Sequence, residues 1–140
     1  QQEEGIGGGD LWFCDYGLEL SRGFRALKVW TAIKSIGTDA FSASITDNCK
    51  QTSLMAELVE ASDVLELSFP VSSNVCCFYV AHGDVNKIAA ELQMSGEAVF
   101  STTFIKGKPC LRAALVNHRT TSANIRQSIA AVENAVRRHE

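Results

Sequence analysis

The chain has 140 residues, 46% of them hydrophobic and 21% charged, enough for one ordinary core and too few for two. Ten glycines and only two prolines exclude a collagen-like, low-complexity or disordered chain. Thirteen basic against sixteen acidic residues leave a formal charge of -3, so nothing draws the chain to nucleic acid or an anionic membrane, and no apolar run approaches the roughly 20 residues of a membrane span.

Gln1-Gln2-Glu3-Glu4 has neither the basic nor the apolar region of a signal peptide. A polar start without Met reads as an internal stretch of a longer protein. Gly5 to Gly9 shares only its glycines with a phosphate-cradling loop, since no strand precedes it and no Gly-Lys-Ser/Thr follows. Residues 1–20 are therefore expected to be a connector. Within them, Leu11-Trp12-Phe13-Cys14-Asp15-Tyr16 is too apolar for a solvated tail and is expected to pack on this domain or on a neighbour.

Ser21 is positioned to cap a helix over 22–36, with Phe24, Leu27, Trp30 and Ile33 on one stripe and Gly37 ending it. Arg22, Arg25 and Lys28 crowd cations at the wrong end of its dipole. They either face solvent or meet acidic partners, for which Asp10, Asp15 and Glu19 are nearest in sequence. Thr38 opens a second helix to about Ala61, with Phe41, Ile45, Cys49, Thr52, Ala56 and Val59 recurring at spacings of three and four. Residues 21–62 thus read as two connecting helices.

From residue 63 the period changes. Val64 to Phe69 and Asn74 to Val80 read as strands, Asp84 to Met94 as a helix, and Ala98 to Ile105 and Cys110 to Val116 as two further strands around a turn at Lys106-Gly107-Lys108-Pro109. A last helix, capped by Thr121 or Ser122, buries Ile125, Ile129, Val132 and Val136. The order β-β-α-β-β-α over 63–140 implies an α+β domain, a small and mainly antiparallel sheet with helices on one face.

Cys14, Cys49, Cys76, Cys77 and Cys110 are odd in number and contain no C-x-x-C. With His82, His118 and His139 scattered, they read as free thiols of a cytoplasmic protein rather than as a disulfide or zinc framework. The residue that stands out is Arg112. Leu111, Ala113 and Leu115 share one face of its strand, while Arg112 lies opposite with Cys110, Ala114 and Val116. A guanidinium in an apolar strand either sits at a sheet edge, reaching water or Glu66, or serves as a bidentate clamp for a carboxylate. Ser101-Thr102-Thr103 reads as polar sheet positions, and His118 as loop decoration. Spacing alone leaves two candidates, a structural domain and a stand-alone module that binds a small ligand.

Two stretches carry a resemblance. Asp15-Tyr16 followed by Ser21-Arg22-Gly23-Phe24-Arg25-Ala26-Leu27-Lys28-Val29-Trp30 resembles the (S/G)-R-R-F-R-x-L-K-x-W signature of the group II pyridoxal-phosphate-dependent amino-acid decarboxylases. That group contains the aromatic-amino-acid, glutamate and 2,4-diaminobutyrate decarboxylases. Phe100-Ser101-Thr102-Thr103, Leu111-Arg112 and Asn117-His118-Arg119-Thr120-Thr121 are similar to its closing L-S-x-T…L-R…N-P-R-T-T. Gly23 stands where the family has a second arginine, and His118 where it has proline.

The resemblance implies the small C-terminal domain of a fold-type-I pyridoxal enzyme, closing over an active site built mainly on a large domain. The lysine that forms the cofactor Schiff base and the aspartate that pairs the pyridine nitrogen belong to motifs that this sequence lacks. The resemblance therefore places pyridoxal phosphate mainly on that large domain, assigns no catalytic residue here, and implies that this fragment is inactive alone. It implies an amino-acid substrate bound through its carboxylate by Arg112, with Arg22, Arg25 and Tyr16 bracing the interdomain connection, and a homodimer.

Overall fold

The computed structural model describes residues 16–18 and 23–139. Seven elements follow in order: α1 (Arg25–Glu60), β1 (Leu65–Leu67), β2 (Val75–Val80), α2 (Val85–Ser95), β3 (Ser101–Ile105), β4 (Lys108–Ala114) and α3 (Ser122–Arg138). The chain divides into residues 1–38 and residues 39–140.

In the first unit, the helix begins at Arg25, three residues later than its sequence suggests, and the proposed cap Ser21 lies outside the described residues. Its stripe of Phe24, Leu27, Trp30 and Ile33 is exposed. Gly37 adopts φ 81 and ψ 165, a conformation open to glycine but not to helical L-residues. α1 is therefore two helices meeting at the glycine the sequence marks.

In the second unit, the remainder of α1 buries Asn48, Gln51, Thr52, Met55 and Val59. This is not quite the expected stripe, because Phe41 and Ile45 are exposed. Packing selects a face that accepts polar residues as long as each is satisfied. Thr52 Oγ1 donates to the Asn48 carbonyl at 2.8 Å, and Ser122 Oγ donates to Gln51 Oε1 at 3.2 Å.

The sheet is wholly antiparallel in the order β1-β2-β4-β3. The part of α1 after Thr38, with α2 and α3, covers one face, where Met55, Val59, Leu65, Cys76, Phe78, Ile88, Leu92, Leu111, Ala113, Ile129, Val132 and Val136 join in one core. Phe78 meets Phe100 edge to face, with ring centroids 5.7 Å apart. Asp84 caps α2 by accepting from the Asn86 and Lys87 amides. Thr121 caps α3 in a capping box with Asn124. At the other end of α3, Arg138 Nε and Nη2 donate to Glu91 Oε1 at 3.0 and 2.6 Å, and His139 Nε2 lies 3.0 Å from Glu91 Oε2. These contacts hold Glu91 below the usual carboxylate range. Among the described residues, no helix is long and apolar enough to cross a membrane.

One turn differs from expectation in a way that matters. The hairpin connection is two residues, Lys106 and Gly107, both at positive φ (51° and 76°), and Lys108 and Pro109 already belong to β4. That is the twist-matched geometry of a tight hairpin. Lys106 pays a steric cost there that asparagine tolerates better. Lys106→Asn is therefore expected to stabilise the chain by about 0.5–1 kcal/mol in urea unfolding. A loss of stability would show that the turn is not held in this form.

Candidate functional site

Among the described residues of the second unit, helices cover one side of the sheet, so alternate residues of each strand look away from the core. Register assigns them. Ser101 pairs with Arg112 and Thr103 with Cys110 across β3 and β4, and Cys77 pairs with Arg112 across β2 and β4. Glu66 faces Tyr79 across β1 and β2. The uncovered face thus carries a row of Cys77, Arg112 and Ser101, beside a second row containing Glu66, Tyr79, Cys110 and Thr103.

Because β4 is an interior strand, Arg112 is not the sheet-edge residue that one sequence alternative required. It is exposed, so the cost expected of a guanidinium among apolar neighbours does not arise. The uncovered face lets its head reach water. It makes no ion pair with Glu66 or with any other described residue. Its Nη1 donates to Ser101 Oγ at 3.3 Å, and Ser101 Oγ donates to the Arg112 carbonyl at 3.1 Å.

Tyr79 Oη donates to the Ile105 carbonyl at 3.1 Å, so its side chain reaches past β4 to the end of β3. Lys108 Nζ sits 5.7 Å from the centre of that ring. Beside it, Cys77 and Cys110 are buried neighbours on adjacent strands. Burial pushes both thiols up, and the Arg112 charge partly offsets this at Cys77. On the core side, burial and then the neighbouring Cys77 push Cys76 up to about 12. The described cysteines are free, and no metal-binding cluster occurs among the described residues. Cys76, Cys77 and Cys110 are therefore thiols rather than thiolates at neutral pH.

The other candidates fall elsewhere. Arg22 lies outside the described residues, as do Asp10, Asp15, Glu19 and the aromatic cluster up to Cys14. Tyr16 and Arg25 are exposed members of residues 1–38. His118 is exposed in the loop after β4. The sequence did not point to Ser101 or Tyr79 as partners within a site. The signal for Ser101 was the turn length, because counting outward from a two-residue turn sets Ser101 against Arg112.

The sequence resembles a family, and comparison with known proteins bears this out. The model of the Pyridoxal-dependent decarboxylase conserved domain matches residues 10–81, and the chain belongs to that family. It is 33% identical over 133 residues to an aromatic-L-amino-acid decarboxylase of Bacillus atrophaeus, covering 85% of this chain and 27% of that protein. It is 28% identical over 131 residues to an L-2,4-diaminobutyrate decarboxylase of Rhizobium meliloti (strain 1021), covering 88% and 26%. Its fold matches the crystal structure of Catharanthus roseus tryptophan decarboxylase with a TM-score of 0.76 at 21% identity, over 90% of this chain and 29% of that one. The fold is that of the fold-type-I decarboxylases, and the chain spans about a quarter of the length of these relatives.

The family's cofactor is pyridoxal phosphate, but the described residues do not form a holder for it. Lys28, Lys34, Lys50, Lys87, Lys106 and Lys108 are all exposed, whereas an amine that condenses with a carbonyl is tuned by burial or by a neighbouring charge. A broad depression of about 590 Å³ on α1 is lined by Asp39, Ser42, Ala43, Thr46, Asp47 and Lys50. Its two carboxylates disfavour a phosphate.

The electrostatics of the face can be tested directly. Arg112→Met keeps an unbranched apolar stem and removes the charge, so the Cys77 thiolate loses the counter-charge that favours it. The pH midpoint of Cys77 alkylation by iodoacetamide, followed by peptide mass mapping, is expected to rise. An unchanged midpoint would contradict the proximity of the two groups.

Proposed function

We propose that these 140 residues serve as the C-terminal part of a larger pyridoxal-phosphate-dependent L-amino-acid decarboxylase. Residues 63–140 are its small domain, 21–62 its connecting helices and 1–20 the connector from a large domain. The small domain closes over the active site and presents Arg112 to the substrate carboxylate. The supporting observation is an exposed arginine without an ion-pair partner among the described residues, on an uncovered sheet face in a chain of this family.

The large domain, in this reading, holds the cofactor, which when bound supplies a sink for the electron pair left as CO₂ departs. The work of this chain is orientation. A guanidinium fork accepts a carboxylate in one plane through two charge-assisted hydrogen bonds, and closure of the sheet face over the site excludes water. Arg22, Arg25 and Tyr16 brace the connection to the large domain. The whole enzyme is a cytoplasmic homodimer acting on a free amino acid, with no nucleic-acid or membrane partner.

In the whole protein, CO₂ release is measured with L-tryptophan, L-tyrosine and L-2,4-diaminobutyrate as probes, chosen from the activities named for its relatives. At least one is expected to be turned over, while the 140-residue chain mixed with pyridoxal phosphate releases none. Arg112→Ala is expected to lower kcat/KM by roughly 30- to 1,000-fold, the scale of a lost charge-assisted pair. Turnover by the short chain, or unchanged kcat/KM in the variant, would refute the reading.

A further inference from the structure

Arg112 has a long side chain on an uncovered face. Left alone it samples many rotamers, and ordering it at the moment of binding costs entropy. The hairpin removes part of that cost. Its two-residue turn sets Ser101 directly opposite Arg112 on the same face. The Ser101 hydroxyl is tied to the backbone carbonyl of the residue it serves, at 3.1 Å, and accepts a hydrogen bond from that residue's Nη1 at 3.3 Å. The hydroxyl therefore has a fixed direction, and the guanidinium is tethered at one nitrogen. Of the five guanidinium N–H groups, this uses one and leaves the Nε–Nη2 edge open for a carboxylate.

We infer that Ser101 is a positioning residue, acting through Arg112 to pre-orient the guanidinium for the substrate carboxylate. The inference rests on the reading that Arg112 receives that carboxylate. Ser101 touches neither substrate nor cofactor. It restricts Arg112 before the substrate arrives, which shows as affinity rather than as a change in chemistry.

The amine product lacks the carboxylate and supplies the control. In the whole enzyme, KM is measured for the amino acid turned over fastest in the panel above, and Ki for its own amine product. Ser101→Ala is expected to raise KM roughly three- to tenfold, the range of one modest hydrogen bond, and to leave the amine Ki unchanged. Ser101→Thr, which keeps the hydroxyl, is expected to restore KM. In the 140-residue chain, rotation of the Arg112 guanidinium, followed by ¹⁵N NMR, is expected to quicken in Ser101→Ala. If Arg112→Ala raises KM and Ser101→Ala does not, the positioning role is overturned while the carboxylate reading stands. If Ser101→Ala weakens amine and amino acid alike, its effect is on the fold and the role is again overturned. If Arg112→Ala leaves KM unchanged, the carboxylate reading falls and this inference with it.

Discussion

The register of the β3–β4 hairpin governs what the uncovered face displays. A slip of one residue would send every alternate side chain to the opposite face. Leu111 and Ala113 would then leave the core, and Arg112 would be driven among the helices. Two residues at positive φ hold the register. One of them is a lysine, which accepts a conformation that glycine or asparagine would adopt more readily. The apolar face makes that cost tolerable, since the correct register alone buries Leu111 and Ala113 beside Phe78.

From that register follows a division of labour between the two faces. One is closed by α1, α2 and α3 and contains the aromatic and aliphatic side chains that hold the domain together. The other carries Arg112, Lys108, Glu66, two thiols, a tyrosine and hydroxyls. The Cys77–Cys110 pair shows how this face avoids unwanted chemistry. Burial raises both thiols beside Arg112, so at neutral pH no thiolate pairs with the guanidinium.

Arg112 also separates two kinds of inference. As a lone charge in the apolar stretch Cys110-Leu111-Arg112-Ala113-Ala114-Leu115-Val116, it was conspicuous in the sequence. Whether it lay at an edge or in the interior depended on strand order, which periodicity does not encode. β4 enters the sheet between β2 and β3, and this makes Arg112 central and gives it neighbours on both sides. Reading the turn as four residues would place Thr103 opposite Arg112. The two-residue turn places Ser101 there, and only one of these arrangements yields the observed tether.

The element order, the glycine break at Gly37, the cap at Thr121 and the apolar face of α3 were legible from the residues, because each depends on contacts within a few positions along the chain. The family was legible for another reason: short motifs around Arg22–Trp30 and Leu111–Thr121 resemble its signatures. The buried stripe of α1 was not legible. Tertiary packing, including the contact of Gln51 with Ser122 of α3, buried Asn48, Gln51 and Met55 rather than Phe41 and Ile45, and a helix does not by itself specify which of its faces will be covered. Nor were the partners of Arg112, which come from the two strands flanking β4 and meet only when the register closes. Local sequence determined the elements and the conspicuous charge. Tertiary structure decided which side chains share a face, because that depends on strand order and register between residues far apart in the chain.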